Sequence, residues 1–352
     1  MTASTGWELR PVAALGEFAA HWDAFNARVG DLPFLRSQFL RPLLEEFGSG
    51  GELLAVCGGV VDPAAMTIVA RRGLGTWQTF QPSQLPLGAW LTRPDIEFER
   101  LADRLARRLP GVVLAVGATQ LDPLFAPRPG DGGRIRTLDY VATAWVDVRG
   151  SFEDYWAARG KNLRQNMRRQ RAKLQTERVA TALEVLRSPD DVPQAIADYG
   201  ELESGGWKAE GGTAIHPSNA QGRFYRAMLE SFCRSGAGCI YRYRCGGKVI
   251  AMDLCVEGPG TLVILKTAYD ESQKTLSPAS LMHEEAFARI FRDGKIKRIE
   301  FYGKLMEWHT RWTENTRTLY HANYYRWPML WMAKERFDRL RATPQQSVPT
   351  HS

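Results

Sequence analysis

The sequence lacks any run that approaches the roughly 20 uninterrupted apolar residues needed by a membrane-spanning helix. Its first ten residues, MTASTGWELR, lack the basic-then-apolar order of a secretory signal peptide. We therefore expect a soluble protein that works in the cytoplasm.

Cysteine is also scarce. The five cysteines include no CxxC pair, and few histidines lie near enough to complete a zinc set. We expect no metal, and we expect the cysteines to be small buried apolar side chains in a reducing compartment. They are Cys57, Cys233, Cys239, Cys245 and Cys255.

No strong excess of one charge is present. Lys and Arg number 46 and Asp and Glu 39, so that the formal net charge is +7. That balance is not typical of a dedicated nucleic-acid binder, but it suits an anionic ligand or an acidic surface. The chain is 44% apolar and 24% charged, which excludes disorder, collagen-like repeats and coiled coil for most of it. The length of 352 residues favours two domains.

The apolar pattern alternates short strands with amphipathic helices and predicts an α/β (α+β) fold. We expect domains at 1–150 and 151–341, followed by a disordered polar tail at 342–352. The predicted strands are 52–57, 65–70, 111–116, 143–148, 179–186, 238–244, 248–256, 261–269, 296–301 and 317–325. The predicted helices are 17–29, 37–47, 96–109, a long basic helix that contains KNLRQNMRRQRAKL, 190–206, 219–235, 278–292 and 328–341.

The segment LVILKTAYDESQKTLSPASLM carries the clearest indication of a ligand site. A strand runs into a polar loop that ends at a helix start, where Pro278 suits the first turn and Ser277 the cap. Such helix starts bind anions through free backbone N–H groups and the positive end of the helix dipole. The small side chains of Ala279 and Ser280 would let a phosphate approach, and Lys274 would add a charge. The alternative is a well-capped helix without a ligand.

Four motifs between about residues 150 and 310 resemble the GNAT acyltransferase superfamily, and within it the CelD/BcsL-type branch associated with cellulose biosynthesis. They are KNLRQNMRRQRAKL, GWK, KTAYDESQKTLSPASLM and IEFYGKLMEWHTRW. Fem-type peptidyl transferases are relatives of this branch. The resemblance implies two tandem GNAT-like domains, the first degenerate, each a mixed and mostly antiparallel sheet flanked by helices. It also implies that the 274–280 loop holds the pyrophosphate of an acyl-CoA.

The sequence departs from the branch at two positions. The branch commonly has SPG where this chain has Ala279, so that the usual glycine of the phosphate loop is missing. The branch also has a Lys before the last Trp of its final motif, and His309 stands here instead. A histidine can act as a general base near neutral pH. A structural histidine is the alternative.

Three more residues are candidates for the chemistry. Glu300 ends the fifth strand of the second half, where it could accept a proton from an attacking amine or form a salt bridge. The resemblance places Glu203 beside the acceptor cleft, as a second candidate base. Lys266 could contact the thioester carbonyl or a phosphate, but a buried pair with Asp253 that holds the sheet is favoured.

Substrate contacts are predicted from the basic helix and the motifs. Phosphates or an anionic surface could bind the helix, for which a solvated face is the alternative. The aromatic C-terminal helix either packs back onto the fold or lies on a membrane surface. The predicted substrate-binding residues are Arg164, Arg168, Arg169, Trp207, Lys208, Tyr302 and Trp312.

Together these features predict an acyl-CoA-dependent N-acyltransferase. The acyl group would pass by direct attack to a primary amine of an amino lipid, such as a sphingoid base, or of an amino sugar. No covalent enzyme intermediate is expected. Two alternatives stay open: a Fem-like transferase that uses aminoacyl-tRNA, and a non-catalytic GNAT-fold accessory of exopolysaccharide synthesis. Peripheral contact with the inner membrane surface is compatible with the first prediction.

Overall fold

The computed structural model describes residues 6–204 and 215–332. The helices are α1 (Leu15–Val29), α2 (Ser37–Phe47), α3 (Phe98–Arg108), α4 (Phe152–Ala157), α5 (Lys161–Thr176), α6 (Val192–Ser204), α7 (Ala220–Arg234), α8 (Pro278–Asp293) and α9 (Glu307–Trp312). The strands are β1 (Trp7–Pro11), β2 (Leu53–Cys57), β3 (Ala65–Gly73), β4 (Thr76–Thr79), β5 (Trp90–Thr92), β6 (Ala115–Leu121), β7 (Ile135–Asp147), β8 (Thr181–Leu186), β9 (Gly238–Cys245), β10 (Lys248–Gly258), β11 (Thr261–Tyr269), β12 (Arg298–Glu300) and β13 (Thr316–Tyr325). A further helix begins at residue 328.

The strands pair in one continuous sheet. Their order is β1-β2-β3-β4-β6-β13-β7-β12-β11-β10-β9-β8, with β5 paired to β3. Neighbouring strands are antiparallel except for two parallel pairs, β4 with β6 and β11 with β12. The predicted fold class, an α/β fold with a mixed and mostly antiparallel sheet flanked by helices, is confirmed.

The two halves of the sheet repeat one arrangement. In each half two helices follow the first strand, α1 and α2 after β1 and α6 and α7 after β8. A helix then precedes the parallel strand, α3 before β6 and α8 before β12. This repeat agrees with the tandem organisation that the resemblance implies. The boundary at residue 150 stays a prediction.

Apolar cores lie on both faces of the sheet. On one face α1 and α2 pack with α6 and α7, where the rings of Phe39 and Phe224 meet edge to face at 5.3 Å. On the other face of the second half, α5 and α8 cover the sheet. The predicted apolar seam of α5 is confirmed, because Leu163, Met167 and Leu174 are all buried.

Most predicted elements are present, and the errors concern short elements and the bounds of two strands. The strand predicted at 111–116 lies further along the chain as β6, and the one predicted at 143–148 is the end of the 13-residue β7. The sequence pattern missed β1, β4 and β5 because strands of three to five residues show too little alternation. All five cysteines are unbonded, and four are buried, as expected.

Candidate functional site

A cleft opens where the parallel strands β11 and β12 separate. They pair over only three residues each, from Thr261 opposite Arg298 to Val263 opposite Glu300. In the next part of β11 the register with β10 shifts, so that Leu265 is an extra residue in the ladder. A β-bulge of this kind leaves backbone groups unpaired. The resulting cavity has a volume of about 450 Å³ and is lined by Ile264 and Leu265 on one side and Phe301 on the other.

The loop predicted to bind pyrophosphate forms one wall of this cleft. All five of its predicted residues, Lys274, Ser277, Pro278, Ala279 and Ser280, line the cavity. The chain turns sharply at Ser277, whose φ of 57° is in the left-handed region, and α8 begins at Pro278 as predicted.

Ser277 caps α8 in a way that differs from the prediction. Its hydroxyl makes no capping bond and instead accepts a hydrogen bond from Asn166 Nδ2 of α5 at 3.1 Å. Its carbonyl accepts from the N–H groups of Ser280 and Leu281 at 3.0 and 3.1 Å. Since Pro278 has no N–H, Ala279 holds the first backbone donor of the helix. It has no hydrogen-bond partner in the part of the chain that the structure describes.

The charge of the cleft suits an anion. The described residues that line it include the basic side chains of Lys266 and Lys274 and no Asp or Glu. The two lysines would therefore attract an anionic ligand, and no carboxylate among the described lining residues would repel it.

His309 lies in the cleft on α9, an element that the sequence pattern missed. Its Nδ1 atom accepts the Met306 N–H at 2.9 Å, and its ring stacks on Trp308. Burial lowers the pKa of His309 to about 4, so the imidazole is neutral at physiological pH. A neutral imidazole whose Nδ1 accepts a hydrogen bond carries its hydrogen on Nε2 and can donate there.

Lys266 lines the cleft, but the favoured pair with Asp253 is wrong. Asp253 stands opposite Thr267 in the β10–β11 register, and its carboxylate binds that hydroxyl at 2.6 Å. Neighbouring side chains on a strand point to opposite faces. The ammonium of Lys266 accordingly lies 5.8 Å from the ring centre of Tyr225 on α7. Glu203 is not among the residues that line the cleft; it is buried and accepts the Ile215 N–H at 2.7 Å.

Glu300 faces away from this cleft. Its carboxylate pairs with Arg317 of β13 at 2.9 Å and lines a second cavity of about 960 Å³ between the halves. Burial raises the pKa of Glu300 to about 7, although Arg317 opposes that rise. Tyr302 is directed to the same side and donates to Asp122 at 3.2 Å. Glu300 and Tyr302 thus line the second cavity, whereas Phe301 between them lines the cleft.

The predicted substrate-binding residues lie in several places. Arg168 and Arg169 are exposed on α5, and Arg164 donates to the Arg159 carbonyl at 3.0 Å. Trp312 is a buried residue of the core of the second half and does not line the cleft. Trp207 and Lys208 lie outside the described residues, as do most of the predicted C-terminal helix and the tail.

The cleft holds one pair of residues that sequence reasoning missed. His283 of α8 lines it, and its Nε2 atom lies 2.9 Å from Asp253 Oδ2. Both side chains are almost completely buried. The available signal was a histidine on the apolar face of a helix together with an aspartate inside an apolar strand.

The described residues contain neither a metal-binding cluster nor a helix that could span a membrane. No cluster of three or more His, Cys, Asp or Glu side chains there is arranged to hold a metal ion. No described helix combines the length and apolar character needed to cross a bilayer.

Comparison with known proteins places the cleft in a recognised domain. Residues 161–310 match the family described as acetyltransferase (GNAT) domain. A comparison with curated proteins finds no match.

Solved structures with the same fold cover nearly the whole chain. The C-terminal domain of a candidate lysylphosphatidylglycerol synthetase from Agrobacterium fabrum is 13% identical, with a TM-score of 0.56 over 95% of this chain and 99% of that one. L-PGS from Bacillus licheniformis is 14% identical, with a TM-score of 0.54 over 92% and 97%. A structure described as FemX is 8% identical, with a TM-score of 0.56 over 90% and 98%. At these identities the likeness concerns the fold.

Proposed function

We propose that the chain is an acyl-CoA-dependent N-acyltransferase, because its residues 161–310 match the acetyltransferase (GNAT) domain family. The acyl acceptor is a primary amine, carried by an amino lipid such as a sphingoid base or by an amino sugar. The reaction takes place in the cytoplasm, where a lipid acceptor would bring the enzyme to the inner membrane surface.

One observation carries this proposal. The 274–280 loop, the bulge at Leu265 and the open ends of β11 and β12 line a single cleft that has lysines but no carboxylate on its described walls. The diphosphate of CoA would lie at the start of α8, against the Ala279 N–H and near Lys274. The pantetheine arm would then extend between the two strands toward the bulge.

The bulge supplies the electrophilic part of the site. Leu265 has no partner in the β10 register, and its backbone N–H would donate to the thioester carbonyl and stabilise the oxyanion that forms when the amine attacks. Direct attack needs no enzyme nucleophile. Burial raises the pKa of the Cys239 thiol to about 12, which makes its thiolate scarce at neutral pH.

Aminoacyl-tRNA is the second candidate donor. Arg168 and Arg169 are exposed on α5, and Asn166 of the same helix binds Ser277 in the donor loop. A polyanion that entered the cleft could therefore also contact the basic face of α5. Structures with this fold include FemX and L-PGS. The resemblance to Fem-type transferases makes an aminoacyl donor the second one to test.

Thermal shift measurements distinguish the donors. The protein is heated with CoA, acetyl-CoA or a long-chain acyl-CoA at moderate salt, and retention of aminoacyl-tRNA is measured over a salt series. We expect the acyl-CoA to raise the melting temperature, because a ligand that binds the folded state stabilises it. Transfer to a sphingoid base and to glucosamine then identifies the acceptor class.

Each other result contradicts the proposal. Salt-sensitive retention of aminoacyl-tRNA without any response to CoA would favour the Fem-like alternative. No response to either donor would favour a non-catalytic accessory of exopolysaccharide synthesis.

A further inference from the structure

A buried histidine–aspartate pair lies at the wall of the cleft. His283 Nε2 is 2.9 Å from Asp253 Oδ2, and the other oxygen of Asp253 accepts the Thr267 hydroxyl at 2.6 Å. The exposed fraction is 1% for each of the two residues of the pair, yet His283 lines the cavity. A histidine that is held by a buried carboxylate and also lines an open cleft is arranged like the base of a catalytic site.

The hydrogen bond sets the form of the imidazole. A carboxylate only accepts, so Nε2 of His283 carries the hydrogen and Nδ1 keeps its lone pair. In the part of the chain that the structure describes, no group forms a hydrogen bond to that Nδ1. The ring is held between aromatic side chains, with Phe287 stacked at 5.4 Å and Trp308 at 5.8 Å.

His309 has the opposite arrangement. Its Nδ1 accepts the Met306 N–H, and its free position is therefore the donor Nε2–H. One histidine of the cleft thus offers an acceptor and the other a donor. Of the two, only His283 can take a proton without first giving up a hydrogen bond to the protein.

We propose, resting on the proposed function, that His283 is the general base of the acyl transfer and that Asp253 is its positioning residue. The amine nitrogen attacks the thioester carbon, the C–N bond forms and the C–S bond breaks. Nδ1 of His283 takes the proton of the attacking amine and passes it to the departing CoA sulfur. The products are the amide and CoA thiol, so no further reactant is needed.

Other charged groups near the pair do not replace it. Lys266 and Lys274 share the cleft lining, but a lysine ammonium group only donates hydrogen bonds and cannot accept the proton of the amine. Glu284 and Glu285, next to His283 on α8, pair with Arg171 of α5. The carboxylate that faces the imidazole is that of Asp253, which stabilises the imidazolium formed during the reaction.

Substitution of the base tests this assignment. In His283→Gln we expect kcat to fall about 10²- to 10⁴-fold, the range for loss of a general base, while the Kd of acetyl-CoA changes less than about threefold. His21→Gln, which changes a histidine exposed on α1, is the matched control and should keep full turnover. Circular dichroism confirms that the variants are folded.

Asp253→Asn tests the positioning residue. An amide can donate to Nε2 and so reverse the tautomer, and it does not stabilise the imidazolium. We expect lower kcat and a shift of the acidic limb of the kcat–pH profile to lower pH. If Asp253 has a purely structural role, the substitution should lower the melting temperature and leave the acidic limb of the kcat–pH profile unchanged.

The outcomes separate this inference from the proposed function. If the wild type neither binds acyl-CoA nor turns it over, the proposed function itself is contradicted. Wild-type turnover in a folded His283→Gln would overturn the assignment of the base while the acyltransferase stands. If that variant does not fold, nitrogen-15 NMR of the wild type decides: a hydrogen on Nε2 of His283 supports the assignment, and a hydrogen on Nδ1 overturns it.

Discussion

His309 shows how burial and one backbone bond determine what a side chain can do. Its ring is covered by Trp308 and Phe301, and the Met306 N–H occupies Nδ1. Water cannot easily solvate the imidazolium there, so the pKa falls to about 4. The histidine that stands in place of the usual Lys of the branch, and that was a candidate base, is therefore a neutral hydrogen-bond donor.

This burial makes stability depend on pH. The folded pKa of His309 lies below its unfolded value, so the contribution is complete above about pH 6.5 and is lost as the pH falls toward 4. Urea unfolding of wild type and His309→Gln at pH 7.5 and 5 measures it. We expect the stability advantage of the wild type to shrink by about 2 kcal/mol at the lower pH. A difference between the two proteins that does not change with pH would contradict the buried neutral form.

Residue types pointed to the donor loop but not to the base pair. Pro278 and the small residues after it are local signals, readable because helix starts have their own chemistry. His283 and Asp253 are 30 positions apart, and each alone looks like an isolated polar residue on an apolar element. Only the packing of α8 on β10 and β11 brings them together, and single-sequence patterns do not encode that register.

At the scale of elements, the basic helix α5 supports the donor loop. Gln170 donates to the Thr275 carbonyl at 2.9 Å, and Asn166 binds the Ser277 hydroxyl. Arg171 binds Glu284 of α8 at 3.1 Å and the Tyr243 hydroxyl of β9 at 2.8 Å. The helix thus fixes the loop from outside, while its exposed arginines face solvent.

Loosening this contact should weaken the donor site. Gln170→Leu leaves the Thr275 carbonyl without its partner, which we expect to cost about 1–2 kcal/mol of stability. Acetyl-CoA affinity should fall several-fold, because binding must then order the loop. The control is Gln165→Leu, which makes the same exchange at an exposed position of α5 and should change neither quantity. If the two substitutions have equal effects in unfolding and binding titrations, the claim that α5 stabilises the donor loop is contradicted.

Helices were predicted correctly where the amphipathic pattern extends over many residues. The helices α1, α2, α7 and α8 lie within two residues of their predicted bounds, since amphipathic stripes of 11 or more residues dominate local alternatives. The six-residue α9 was not found, because its sequence EWHTRW has no clear apolar period. The sequence therefore did not predict the helix that lines one side of the cleft.

At the scale of the whole molecule, β13 joins the two halves. It follows the second half in sequence but lies between β6 and β7 in the sheet. Its Arg317 binds Asp122 of the first half at 2.8 Å and Glu300 of the second at 2.9 Å. A boundary at residue 150 divides the sequence into two halves, but it does not divide the sheet, because β13 of the second half pairs with strands of the first.

Removing the shared cation should destabilise both halves together. Arg317→Met leaves the buried Asp122 without its cation and Glu300 with only Arg298, 3.7 Å away, for which we expect a loss of about 3–5 kcal/mol at pH 8. The loss should be smaller at pH 5.5, because burial already raises the pKa of Glu300 and the carboxyl can then bind a proton.

Arg311→Met is the matched control for this substitution. It breaks an exposed pair with Glu307, and we expect a cost below about 1 kcal/mol. Urea unfolding checks both variants. A similar small loss for Arg317→Met, or two separate unfolding transitions in the wild type, would contradict the role of β13 as a shared strand.

The central claim is that the cleft between β11 and β12 binds a CoA thioester through the start of α8. Titration calorimetry of acetyl-CoA with wild type, Ala279→Asn and Ala279→Asp tests it most directly, because the last two differ only in charge. We predict binding to the wild type, a loss of about tenfold or less for Ala279→Asn, and a loss of at least about 100-fold for Ala279→Asp, whose carboxylate would face the diphosphate. No binding to the wild type, or equal affinities for the two variants, would contradict the claim.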